Sequence, residues 1–145
     1  MVTLDGLIAY PSAPADIAST ITAGIRLLSD QQPACTLTPW EENEIAGKFL
    51  DTPILEKIDG GNVLIADITR VNFNVIYEIG YAIGRSKKVV LIRHGGLEND
   101  EKLIDQIGLL DTLGWEEYSN ARDLVRTIQN INDITPLPIA EPGFN

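Results

Sequence analysis

Apolar residues along this chain come in short continuous runs that alternate with stretches of helical period. Leu4 to Tyr10 is a short apolar run ended by Pro11 and predicts a first strand. From Ala15 to Ser29 the residues Ile17, Ile21, Ile25 and Leu28 recur every three or four positions, as on an amphipathic helix. Ala34 to Thr38 predicts a second, weaker strand stopped by Pro39. Glu44 to Ile58 predicts a helix that Pro53 kinks or divides. Asn62 to Ile68 is apolar on both faces, as a strand covered by helices on both sides must be. A third helix follows over Asn72 to Arg85, a fourth strand over Val89 to Arg93 and a helix over Asp100 to Leu110. An edge strand over Leu113 to Tyr118 and a last helix over Asn120 to Ile131 complete the series.

Strand and helix thus alternate five times, which predicts a parallel sheet with right-handed crossovers and helices on both faces. The expected architecture is a three-layer α/β, flavodoxin-like domain with a five-stranded parallel sheet in the order 2-1-3-4-5. Residues 1–134 read as one domain. The stretch from Thr135, with three prolines and a glycine, reads as a linker or tail, either a frayed end or the approach to an additional domain.

In such a sheet, ligands bind outside the carboxyl ends of the strands where the strand order reverses, here between the first and third strands. The residues that leave the strands on that rim are Tyr10, Pro11 and Ser12, Thr38 and Trp40, Asp67 and Thr69, and His94. Asp67 has two readings: the cap of the following turn through an Asx hydrogen bond, or a carboxylate aimed at sugar hydroxyls or a base edge. On the third helix Val75, Ile76, Ile79 and Ile83 define a buried stripe, with Asn74, Glu78, Tyr81 and Arg85 on the other side. Glu78 is then either a solvated residue near Arg85 or a site residue. Two features favour a site: Tyr77 and Tyr81 border this face, and Gly80 and Gly84 weaken the helix, so a ligand or a second subunit is expected to approach there. Asn72 is placed to cap the helix.

Composition narrows the chemistry. The formal charge of −10 argues against a polymeric nucleic acid as partner, while a small phosphorylated ligand needs only a local cation, for which Arg70, Arg85, Arg93, Lys87 and Lys88 are available. Cys35 is the single cysteine, so there is no internal disulfide and no Cys-rich metal cluster, and no metal is expected. The absence of a long apolar run and of a signal peptide predicts a cytoplasmic protein without membrane contact. Rossmann, P-loop and serine nucleophile-elbow patterns are absent. His94, the lone histidine, is either a turn residue or a site residue on the rim.

The stretch Val63 to Ala82, VLIADITRVNFNVIYEIGYA, resembles the nucleoside 2-deoxyribosyltransferase-like proteins and their TIR-like relatives, through Asp67, Glu78, Gly80, Tyr81 and Ala82. The first strand ending in Ala9–Tyr10–Pro11–Ser12 is similar as well. The resemblance implies chemistry at an N-glycosidic bond, with Glu78 as nucleophile or charge stabiliser at the anomeric carbon and Asp67 holding sugar hydroxyls or helping the base to leave. It further implies Tyr10 orienting Glu78, Trp40 stacking on a base, and neighbouring subunits completing the pocket of a homo-oligomer. Asn72 and Asn74 stand where the transferases carry Asp and Gly. An amide cannot supply a proton, so the pattern looks more like the TIR-like branch, with NAD or another nucleotide as substrate or ligand and no tightly held cofactor. The alternative is a nucleotide-binding sensor or a TIR-type assembly module without catalysis.

Overall fold

A computed structural model describes residues 2–42 and 52–138. Its elements in chain order are β1 (Asp5–Pro11), α1 (Ala15–Gln31), β2 (Thr36–Glu42), α2 (Thr52–Gly60), β3 (Val63–Asp67), α3 (Phe73–Gly84), β4 (Lys88–His94), α4 (Glu101–Asp105), α5 (Gly108–Leu113), β5 (Glu116–Tyr118) and α6 (Ala121–Gln129). The five strands form one sheet in the order β2-β1-β3-β4-β5 with every pairing parallel, as the alternation of elements predicts.

Two cores lie on the two faces. Ile8 and Tyr10 of β1, Val63 and Ile65 of β3 and Tyr118 of β5 pack with Ile17 and Ile21 of α1 and Leu124 and Ile128 of α6. Leu7 and Ala9, Leu64 and Ala66 face the other way, against Ile54 and Ile58 of α2, Val75 and Ile79 of α3, Ile104 of α4 and Leu110 of α5. Residues two apart in a strand share a face, so β1, β3 and β4 feed both cores. Gly6 is required here: a Cβ on it would collide with the Val63 carbonyl where β1 meets β3.

The expected boundaries change in four places. β2 continues through Pro39 to Glu42 instead of stopping. It is an edge strand, where a sheet tolerates a residue without an N–H. Pro53 lies in the first turn of α2, where no intrahelical partner is lost. The expected helical residues 44–51 lie outside the described residues, as do residues 139–145 of the tail. The single helix expected over Asp100 to Leu110 is two short ones. Leu113 closes the second of these, and Gly114, with φ of 68°, turns the chain into a fifth strand reduced to Glu116–Tyr118. Among the described residues no helix is long and apolar enough to cross a membrane.

Candidate active site

The carboxyl rim carries two buried carboxyl groups, and the sheet separates them. Asp67 ends β3 in the same alternation as Val63 and Ile65, so its side chain projects toward the α1 and α6 layer. There the Tyr118 hydroxyl donates to Oδ2, and the Thr69 N–H donates to Oδ1 at 2.9 Å. Asp67 has no solvent exposure. Burial pushes its carboxyl above the usual carboxylate range, against the pull of the Tyr118 hydroxyl, of Thr69 and of His94. Burial, and then the Asp67 carboxyl, raise the Tyr118 hydroxyl. The Asx turn predicted from sequence is therefore present, with Tyr118 as an additional partner.

Thr69 and His94 belong to this group. The Thr69 hydroxyl accepts from the His94 N–H at 2.9 Å, and His94 Nδ1 accepts from the Gly96 N–H at 3.0 Å. The imidazole meets the Tyr118 ring edge-on at 5.1 Å. His94 thus closes the turn after β4, the first of its two readings. Tyr10, 5% exposed, lies in the core on this face. Burial, then Glu41, raises its hydroxyl. It sits across the sheet from the layer that contains α3, which corrects the expectation that it orients Glu78.

Glu78 lies in the other layer. Asn72 starts α3: its Oδ1 accepts from the N–H groups of Asn74 at 2.9 Å and Val75 at 3.1 Å, and Nδ2 donates to the Glu42 carbonyl at 3.4 Å. The cap thus fixes the helix against the end of β2. The buried residues of α3 are Asn74, Val75, Glu78, Ile79 and Ala82, while Ile76 and Ile83 are half-buried. The apolar stripe expected from periodicity is rotated, because the helix turns its Asn74–Glu78 edge into the rim. Glu78 is neither solvated nor near Arg85, and its exposure is zero.

Neither Glu78 oxygen receives a hydrogen from an N–H or hydroxyl group of the described residues. What faces it is the carboxyl of Glu42, also buried, at the last position of β2. Two carboxyl groups are joined only through a proton. Desolvation, and then the Glu42 carboxyl, push Glu78 up to about 10, so the pair retains a proton at neutral pH. Glu42 is itself held: Trp40 Nε1 donates to its Oε1 at 2.7 Å, and its carbonyl accepts the Ser12 N–H at 2.8 Å. Pro11, buried, is its neighbour in register across the β1–β2 pair. Of the residues expected on the rim, the structure therefore groups Pro11, Ser12, Trp40, Asn74 and Glu78 around the switch point. Glu42 is the residue the sequence reading missed. The signal was topological: with β2 beside β1, any residue leaving β2 lies at the switch point, and carrying the strand past Pro39 would have brought Glu42 there.

Tyr81 is not on this rim. Its hydroxyl donates to Asp59 at 2.9 and 3.1 Å, and Arg85 Nε and Lys87 Nζ join the same residue at 2.7 and 2.9 Å. This cluster ties the end of α3 to the end of α2 at the amino end of the sheet, and two of the candidate cations are engaged there. Arg70 pairs with Asp100 at 3.4 Å, and Arg93 stacks on Trp115 at 3.5 Å. A Cβ at Gly80 or Gly84 meets nothing within 4 Å, so no part of the described chain approaches them. A groove of about 490 Å³ runs beside β2, lined in part by Trp40, Thr38, Leu7, Ile54 and Lys57. Its volume falls in the range of small-molecule sites, and the Trp40 ring forms one wall. Among the described residues no cluster of His, Cys, Asp and Glu has metal-binding geometry.

No family model matches the chain. Among curated proteins, the small ribosomal subunit protein uS4 of Pelobacter propionicus is 30% identical over 92 residues, 63% of this chain and 43% of that protein, so the chain spans less than half the length of the curated relative it matches. Among solved structures, a CMP N-glycosidase of Clostridium botulinum, BcmB, superposes with a TM-score of 0.51 at 17% identity, covering 84% of this chain and 97% of that one. A conserved protein of Enterococcus faecalis V583 superposes with a TM-score of 0.52 at 16% identity, covering 86% and 98%. At these identities what the chain shares with both is the fold.

Proposed function

We propose that this protein breaks the N-glycosidic bond of a nucleotide or nucleoside, with Glu78 at the anomeric carbon. One observation carries the reading: a carboxyl with zero exposure stands at the switch point of the sheet, and neither of its oxygens is claimed by an N–H or hydroxyl group of the described residues. A structural carboxylate at such depth is normally satisfied, because an unpaired buried charge costs several kcal/mol. Departure of a base builds positive charge on the sugar, and a carboxylate held ready beside it lowers that barrier. The fold shared with a CMP N-glycosidase supports the reading at the level of architecture. A ribosomal role finds no support in a chain of charge −10, whose long-range field opposes RNA.

Asn74, Ser12 and Trp40 would line the sugar and base, and the groove beside Trp40 offers the base an aromatic wall. Asp67 serves by fixing the rim through Tyr118 and Thr69. NAD stays within the substrate panel, since its nicotinamide leaves without a proton. The test is base release, followed by chromatography, from CMP, other ribo- and deoxyribonucleotides, nucleosides and NAD. Wild-type protein should release base from at least one, and Glu78→Gln should lower the rate by at least about 10²-fold. Equal rates in both proteins, or no release at all, would remove the enzymatic reading.

A second reading, assembly through α3, has its own observation. Phe73 and Tyr77, one turn apart, are 67% and 59% exposed. Self-association through this face is compatible with catalysis. Sedimentation of Phe73→Ser with Tyr77→Ser against wild type tests it: unchanged mass at high concentration would set it aside.

A further inference from the structure

We infer that Glu42 is the acid and base that works with Glu78, and that the site therefore takes substrates whose leaving base is neutral and must be protonated. This rests on the reading of Glu78 given above.

The geometry supplies the parts. Glu42 and Glu78 come from different elements, the end of an edge strand and the second turn of a helix, yet both are buried and face each other. The Glu42 backbone is fixed twice, by the Ser12 N–H from the end of β1 and by the Asn72 amide at the start of α3. Its carboxyl is oriented by Trp40, whose ring borders the groove beside β2. Asn72 is no substitute: it is an amide, and its oxygen is spent on capping α3. In the proposed step the proton that Glu78 holds passes to Glu42 as the substrate binds. With the proton on Glu42, Glu78 is the carboxylate that meets the sugar.

The step balances without an added reagent. A Glu78 oxygen bonds to C1′ as the bond from C1′ to the base nitrogen breaks. The bonding electron pair goes to the base, which takes the Glu42 proton. The base departs neutral, leaving a Glu78 ester and a Glu42 carboxylate. Glu42 then accepts a proton from water as the water oxygen bonds to C1′ and the ester opens. The sum is the substrate plus water giving free base and free sugar, with the proton back on the pair.

The experiment compares two ribose 5-phosphates in single-turnover assays: CMP, whose cytosine needs a proton, and nicotinamide mononucleotide, whose pyridinium does not. Glu42→Gln should slow cytosine release by about 10²-fold or more and nicotinamide release by less than about tenfold. Formate should restore part of the cytosine release in Glu42→Ala, which a purely structural role would not permit. Thermal melts of both variants verify folding. Equal losses on the two nucleotides, wild-type release of nicotinamide but not cytosine, or no formate rescue would overturn the role of Glu42 while leaving that of Glu78 standing. Should wild type release neither base, nor any other base from the panel, the reading of Glu78 falls and takes this inference with it.

Discussion

The Tyr118 hydroxyl donates to Asp67 across 51 positions of sequence, tying the end of the last strand to the end of the central one. With only three residues in β5, this buried bond and the His94–Tyr118 ring contact hold the strand's end to the rim. Tyr118→Phe leaves a carboxyl oxygen buried without its donor and should cost about 1–3 kcal/mol in denaturant unfolding. Asp67→Asn keeps a polar partner for both Tyr118 and Thr69. It should retain base release within about tenfold of wild type, a barrier change of no more than about 1.4 kcal/mol. A loss as deep as that of Glu78→Gln would return Asp67 to the reacting centre.

Glu78 makes stability depend on pH with a defined sign. An unfolded glutamate gives up its proton near pH 4.5, whereas in the folded protein burial and Glu42 hold it up to about 10. Between these values the native state binds the additional proton, so stability falls as pH rises, by about 1.4 kcal/mol per pH unit for this one group. Glu78→Gln removes the effect. Denaturant unfolding should find the two proteins similar near pH 5 and the Gln variant more stable at pH 8 to 9. Parallel pH profiles would mean that Glu78 ionises freely in the fold.

Asn72 performs two tasks, and substitutions separate them. Asn72→Ala removes the acceptor for the Asn74 and Val75 N–H groups and should cost about 0.5–2 kcal/mol. Asn72→Ser restores the cap without the reach to the Glu42 carbonyl. If that reach positions the carboxyl pair, Ser recovers the melting temperature and not the rate of base release. Full recovery of both would reduce Asn72 to a cap.

Gly80 is exposed, in mid-helix, with nothing near its missing Cβ. Gly80→Ala should therefore stabilise the protein by roughly 0.5–1 kcal/mol, the difference in helix propensity. A destabilised variant, or one whose sedimentation changes, would show that another copy of the chain packs closely there, as the sequence reading allowed.

The order of elements, the parallel sheet and the strand order were legible along the chain because each depends on local period and on handedness that any right-twisted chain obeys. The rim was legible too, since strand ends follow from strand order, and so was the Asn72 cap, which acts over two or three residues. The continuation of β2 through Pro39 was not, because a proline is allowed or forbidden by whether its strand lies at an edge, a property of the sheet and not of the strand.

Which side chains meet was decided only in three dimensions. Periodicity places Glu78 at an angle from the apolar stripe, but the roll of a helix on its sheet is set by the residues it packs against. Here that roll takes Glu78 and Asn74 inward and leaves Phe73 and Tyr77 outside. The same holds for the partners. Asp67 and Glu78, both at the rim, were divided by the alternation of the strand and the side on which the helix crosses. Glu78 was joined instead to Glu42, a residue with no local signal, because strand order brings the end of β2 beside the start of α3. Local pattern sufficed for the frame; the acidic pair at its switch point exists only because packing brings together groups that sequence keeps apart.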